Sequence, residues 1–252
     1  MVLERDVLAV EEPLELRIGT DLDTAEPVSV LMRTPGDDDE LVLGFLVGEG
    51  LLHPRDDSLP EVVNGDGAIS VIFAEGEMPD IGSLQRNFYS TSSCGICGKA
   101  SIDAVMQLIP PAAAVEEFRL DGSRISELCE EMRSRQSLFE ATGAVHAAGL
   151  FDSDGMLVLV REDVGRHNAM DKAIGAALRA ELLGSTIGGV CVSGRAGFEL
   201  LQKAAMSGIG ILISVGAPTS LSVEFAAANS MTLVGFVSSE AYNIYTGNHR
   251  IS

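Results

Sequence analysis

The sequence predicts an α/β protein, α+β overall, in which a small β-rich N-terminal α+β domain precedes a larger domain built on a mostly parallel sheet. Apolar runs at 156–161, 188–193, 209–215 and 231–237 alternate with helical stretches near 168–183, 197–207 and 220–229. Continuous apolar strands joined by helices of this length indicate a parallel sheet covered on both faces. The first half instead shows short strand-like runs around turn residues, which is the pattern of hairpins. Between them, Pro110 to Ala114 has the composition of a linker and divides the chain into 1–114 and 115–252.

In chain order, Pro13 to Ile18 and Pro27 to Arg33 bracket an acidic turn and read as a first hairpin. Thr34-Pro35-Gly36 stops the second strand. Asp37-Asp38-Asp39-Glu40 then offers N-cap candidates and negative charge to a helix over Leu41 to Leu52. Val62 to Asn64 and Ala68 to Phe73 flank Gly65-Asp66-Gly67, a second hairpin. Arg86 to Ser90 reads as a strand feeding the loop Ser92 to Lys99, and Ser101 to Ile109 as a short helix closed by Pro110-Pro111. A helix over Ser123 to Glu140 sets Ile125, Leu128, Cys129, Met132 and Phe139 on one face, so Cys129 fits a core position. Val145 to Phe151 and Met156 to Arg161 flank Asp152-Ser153-Asp154-Gly155 as a third hairpin. Cys191 lies inside the apolar strand Gly189 to Ser193 and also reads as core.

Composition narrows the function. The 252 residues are 46% hydrophobic and 5% aromatic, enough to bury a substantial core. A formal charge of -20 excludes a general nucleic-acid binder, which needs basic surface to neutralise phosphate. That charge is lopsided: residues 1–122 hold 24 Asp/Glu against 7 Lys/Arg, and 123–252 hold 13 against 10. The second half is therefore the place for an anionic ligand. No apolar run reaches the ~18 residues of a membrane span, and the N-terminus lacks the basic-then-apolar order of a secretory signal, so the expected compartment is the cytoplasm.

Three strand ends gather glycine and polar residues: Arg161 to Lys172, Ser193 to Glu199, and Gly216 to Ser220. Open α/β sheets bind ligands at such carboxyl edges, where glycines admit phosphate close to backbone N–H groups and Arg forks grip oxyanions. Arg166, His167, Asn168, Arg195 and Thr219 are the candidates here. His167 reads equally as a helix-start hydrogen-bonding residue or as an acid/base facing the ligand edge. His146 reads as a satisfied strand residue.

Cys94 and Cys97 form a CxxC pair in a Ser/Gly-rich loop, apart from the two core cysteines. A structural zinc site needs four ligands, and neither a second pair nor a His-x-Glu element supplies them, so no metal is expected. A helix following the pair and Lys99 beside it would lower the thiol pKa. That chemistry suits dithiol exchange and persulfide carriage equally.

The motifs Cys94-Gly95-Ile96-Cys97-Gly98-Lys99, Arg161 to Gly175 and Ser193 to Glu199 resemble those of the formate dehydrogenase accessory sulfurtransferase family, FdhD. Ala217 to Leu221, Gly235 to Val237 with Tyr245-Thr246, and Gly44-Phe45-Leu46 with Glu49-Gly50 extend the likeness over essentially the whole chain. The chain departs from the family pattern at Gly197 and Gly216, where serines are usual, and at Ser238-Ser239, where an Arg is often found.

The resemblance implies a cytidine-deaminase-like, three-layer C-terminal domain and a homodimer. It implies a sulfur carrier that accepts persulfide sulfur from a cysteine desulfurase; Cys94, farther from the following helix and so the more exposed, reads as the nucleophile and Cys97 as the assisting thiol. The acceptor would be molybdenum cofactor in its bis-molybdopterin guanine dinucleotide form, on its way to formate dehydrogenase. The nucleotide end of that cofactor would lie near Val237, Ser238, Ser239, Glu240, Ala241 and Tyr242. A CxxC dithiol oxidoreductase and a cofactor-binding chaperone without sulfur chemistry are the competing functions.

Overall fold

The computed structural model describes residues 6–56, 58–81 and 118–252. The expected strand at 86–90, the CxxC loop with Cys94 and Cys97, the helix at 101–109 and the 114/115 boundary lie outside the described residues.

The first sheet has the order β2-β1-β4-β3. Strands β1 (Glu12–Gly19) and β2 (Glu26–Arg33) form one antiparallel hairpin and β3 (Glu61–Asn64) and β4 (Ala68–Ile72) another, joined by parallel pairing of β1 with β4. Between the hairpins runs α1 (Asp38–Gly48), which starts and stops earlier than its apolar pattern suggests. Its N-cap residue Asp37 sits in the left-handed region at φ 56° and makes no side-chain cap bond. The acidic turn is used across the fold instead: Asp38 pairs with Arg33 at 2.9 Å, and Glu40 accepts from Arg161 at 2.8 Å.

The second half begins with α2 (Gly122–Ser134) and α3 (Ser137–Thr142), where a single helix over 123–140 was expected. Glu162 explains the break, because its carboxylate accepts from Leu138 N and Phe139 N, both at 2.9 Å. Those amides would otherwise have bonded back along a continuous helix.

A six-stranded sheet follows, in the order β10-β9-β8-β7-β5-β6. Its strands are β5 (His146–Asp152), β6 (Leu157–Asp163), β7 (Ile187–Val192), β8 (Ile211–Ser214), β9 (Thr232–Gly235) and β10 (Asn243–Thr246). Helices α4 (Arg166–Arg179), α5 (Phe198–Met206) and α6 (Ser220–Ala228) connect β6 through β9. The sheet is mixed in its pairings, with β5 and β10 running against the other four strands. Only β7/β8 and β8/β9 pair in parallel, because β5 inserts antiparallel between β6 and β7. The four strands read from the apolar alternation nevertheless point one way, so their carboxyl ends share one edge.

Side chains of alternate parity fill the two faces of this sheet. Ala148, Leu150, Val190, Val192 and Leu212 face α4 and α5, and Ala147, Phe151, Cys191, Ile213 and Val234 face α2. This gives the expected three layers. The first face shares one continuous core with the N-terminal sheet, because α1 packs directly on α4.

Candidate functional site

The carboxyl ends of β6 to β9 and the amino end of β5 meet at one edge. Loops after β7 and β8 are laced together there: Gly216 N and Ser214 Oγ both donate to Gly194 O, at 3.0 and 2.7 Å, and Ala196 N donates to Ala217 O at 3.2 Å. A Cβ on Gly216 would stand 2.8 Å from Gly194 O, so this lacing leaves no room for the serine usual at that position. Gly197 differs, since a Cβ there meets nothing nearer than Glu199 Oε2 at 3.4 Å. After β9, exposed Phe236 adopts a left-handed φ of 54°, and Ser238 N and Oγ donate to Ala241 O at 2.9 and 3.0 Å to close a tight turn. Ser126 of α2 ties this turn down by donating to Ser238 O at 2.8 Å.

Between α2–α3 and the sheet edge opens a cavity of about 760 Å³. Its wall includes Cys129, Arg133, Gln136 and Phe139 from the helices, His146 and Ser193 from the edge, and Val237, Ser238 and Ser239 from the turn. A second depression of about 470 Å³, lined by Ser126, Glu130 and Ser239 to Tyr242, adjoins it. The segment 237–242 therefore faces these two spaces throughout. The main cavity is largely apolar, and one polar atom in its wall stands out. Gln136 is 3% exposed, and its Nε2 has no hydrogen-bond partner. An unmet buried donor costs roughly 1–3 kcal/mol, so it marks a place where a ligand acceptor would be favoured.

The conspicuous run Arg161 to Lys172 serves mainly to join the two halves. Asp163, fully buried, accepts from Thr34 N, Gly165 N and Asn168 Nδ2 at 2.9–3.0 Å and pairs with Lys172 Nζ at 2.8 Å. Lys172 donates onward to Thr34 O at 2.8 Å, and Asn168 Nδ2 to Met32 O at 2.7 Å. Asn168 is thus held by the scaffold. Thr219 is occupied as well, in a reciprocal capping box with Ser222 at the start of α6. Arg195 is exposed on the loop after β7.

Arg166 and His167, in the first turn of α4, are the members of that run left facing the edge. Arg166 Nε and His167 Nε2 are both buried without a hydrogen-bond partner. Burial, then the charges of Arg166 and Lys203, pushes His167 down to about 4, against the opposing pull of Glu199 at 3.8 Å. Burial and Arg166 lower His146 too. Both imidazoles are therefore neutral at pH 7 beside a guanidinium, an arrangement that can donate to an oxyanion without needing a protonated ring.

His146 is a partly buried strand residue, as its sequence context suggests, and it also lies on the ligand edge and in the cavity wall, because β5 runs opposite to its neighbours. Ser193 belongs to the strand-end cluster Ser193 to Glu199, whereas Arg133 and Gln136 lie in no sequence motif, and the position of Gln136 depends on Glu162 from another element. Among the described residues, no group of three or more His, Cys, Asp or Glu is spaced to hold a metal ion, and no helix is long and apolar enough to cross a membrane.

Comparison with known proteins places this architecture. The model of the FdhD/NarQ family matches residues 9–252. The protein named sulfur carrier protein FdhD from Streptomyces avermitilis is 45% identical over 265 aligned positions, covering 98% of this chain and 89% of its own. The one from Mycobacterium tuberculosis is 42% identical, covering 100% of this chain and 94% of its own. The crystal structure of a protein assigned as a formate dehydrogenase accessory protein from Desulfotalea psychrophila superposes with a TM-score of 0.75 at 25% identity, over 98% of this chain and 91% of that one. With a family match over nearly its full length and relatives of this identity, the chain belongs to the FdhD/NarQ family.

Proposed function

We propose that this protein is a cytoplasmic sulfur carrier. It takes persulfide sulfur from a cysteine desulfurase and delivers it to molybdenum cofactor, in the bis-molybdopterin guanine dinucleotide form, before that cofactor enters formate dehydrogenase. The observation that carries the acceptor half is the cavity at the sheet's carboxyl edge, with the unmet Gln136 amide and Val237, Ser238 and Ser239 of the turn in its wall. Its volume of about 760 Å³ is in the range of small-molecule sites and suits one nucleoside end of the cofactor, not the whole bis form. The names of the relatives support the sulfur-carrying half.

In this reading the Cys94 thiolate attacks the terminal sulfur of the donor's persulfide. The donor's S–S bond breaks, the donor thiolate leaves, and Cys94 holds the persulfide with Cys97 as assisting thiol. The guanine end occupies the cavity against Gln136, Ser238 and Ser239, with Glu240, Ala241 and Tyr242 at its margin. Arg166 and His167 hold a phosphate with their unmet nitrogen atoms. Arg195, exposed nearby, adds positive charge at the edge, and Asn168 and Thr219 act by holding α4 and α6 in place. The homodimer belongs to the same proposal, and light scattering tests it.

The experiment is incubation with a desulfurase and labelled cysteine, followed by mass spectrometry without reduction. Cys94 is expected to gain ~32 Da, one sulfur, releasable by reductant. Absence of label on both Cys94 and Cys97 would sink sulfur carriage. Formate dehydrogenase activity that survives replacement of both cysteines by Ala would instead favour a cofactor-binding chaperone.

A further inference from the structure

Cys129 of α2 and Cys191 of β7 bring their Sγ atoms to 3.1 Å across 62 residues of sequence. Both are free thiols. Their surroundings differ. Cys191 is fully buried in the sheet, between Gly149 and Ile213 on the neighbouring strands. Cys129 forms part of the wall of the cavity, where a small solute can reach it. The sulfur transfer proposed above uses neither.

We propose that Cys129 and Cys191 are an oxidisable dithiol, which hydrogen peroxide entering the cavity converts to a disulfide joining α2 to β7. A disulfide needs an S–S distance of ~2.05 Å, so from 3.1 Å the two sulfurs close by roughly 1 Å. Cys129 acts first. Losing its proton to solvent in the cavity, its thiolate attacks one peroxide oxygen, the O–O bond breaks, and the leaving hydroxide takes a proton to become water. Cys191 Sγ then attacks the sulfur of the resulting Cys129 sulfenic acid. The S–O bond breaks, and the departing hydroxide takes the Cys191 thiol proton as a second water. Two thiols lose two electrons and the peroxide gains two. The hydrogen bond to Cys129, then burial, raises the Cys191 thiol, so Cys191 is not the thiol that meets peroxide first.

The consequence falls on the cavity. Ser126, Glu130 and Arg133 share α2 with Cys129 and line the same wall. A covalent link from that helix to β7 draws the Cys129 sulfur off the wall and fixes the helix against the sheet. The inference does not depend on what the cavity binds.

The test uses the full chain with Cys94→Ser and Cys97→Ser, which leaves these two thiols of the four cysteines. After peroxide treatment, denaturation and alkylation, the protein should have lost about 2 Da, the two thiol hydrogens, with both cysteines unalkylated. The two cysteine-containing peptides should be recovered linked, and dithiothreitol should reverse the change. With Cys191→Ala added, dimedone should trap a sulfenic acid on Cys129. If that variant does not fold, Cys129→Ala gives the reciprocal reading, in which Cys191 stays alkylatable after peroxide. Alkylation of both thiols in the oxidised parent overturns the proposal. So does linkage of the two peptides only within a covalent dimer of twice the mass.

Discussion

Gly44 of α1 lies against the backbone carbonyl of Asp171 in α4, so closely that a Cβ there would stand 1.8 Å from the oxygen. Gly175 mirrors it, with a Cβ falling 1.8 Å from Glu40 O. Two helices thus cross backbone to backbone, and this crossing seats the N-terminal sheet on the half that carries the cavity.

Gly44→Ala and Gly175→Ala should each destabilise the protein. Alanine is the better helix former by about 1 kcal/mol, which alone would favour the change. The obstruction is main chain and cannot rotate aside, so the helices must separate. Overpacking costs typically 1–3 kcal/mol and more when backbone has to move, so a net loss of about 2 kcal/mol is expected. Urea melts check this, and unchanged midpoints would show that the crossing is looser than described.

The strands and helices of the second half were legible because each carries its own apolar run. Their order in the sheet was not. Nothing local in Val145 to Phe151 says that this strand lies between β6 and β7, and that insertion alone brings His146 to the ligand edge. Polar clusters at strand ends marked the correct edge, yet their residues divide by tertiary partner. Asp163, Asn168 and Lys172 are consumed by contacts to Met32 and Thr34, over 120 positions away in sequence, while Arg166 and His167 are not. Gln136 was invisible for the same reason, since the helix break that places it depends on Glu162.

A buried ion pair at the same junction carries a second prediction. Lys203 Nζ lies 2.8 Å from Asp171 Oδ1 and 5.4 Å from the centre of the Phe45 ring. Burial works to deprotonate Lys203, but Asp171, Glu49 and Glu199 together outweigh it and raise its pKa. Lys203→Met strands a buried carboxylate and should cost about 3–5 kcal/mol. Adding Asp171→Leu should recover most of that loss, because two apolar residues leave no charge to desolvate. A double-mutant cycle by chemical denaturation measures both numbers.

His167 sets a pH dependence of stability. Its pKa is about 4 in the fold against 6.5 when unperturbed. Between those values the unfolded chain binds the proton and the folded one does not. The stabilising contribution is therefore complete above pH 6.5 and is lost as pH falls toward 4. With its side chain 30% exposed to solvent, a loss of about 1–2 kcal/mol across that window is reasonable. His167→Gln, neutral throughout, should flatten the profile between pH 7 and 5. An equally steep profile in that variant would assign the dependence to other groups.

Gln136 separates the stability of the empty protein from its affinity for a nucleotide. Its amide nitrogen is buried in the cavity wall without a partner. Methionine matches glutamine in length and asks for no hydrogen bond, so Gln136→Met should leave the free protein as stable or raise its stability by about 1 kcal/mol. If the guanine end of the cofactor accepts from that nitrogen, the same change should weaken binding of guanosine diphosphate by about tenfold, the equivalent of one hydrogen bond near 1.4 kcal/mol. Calorimetric titration and a thermal melt on the same sample read both effects. Opposite signs in the two measurements identify a residue kept for a ligand at the expense of the fold, whereas a destabilised free protein would make Gln136 a structural residue and remove it from the site.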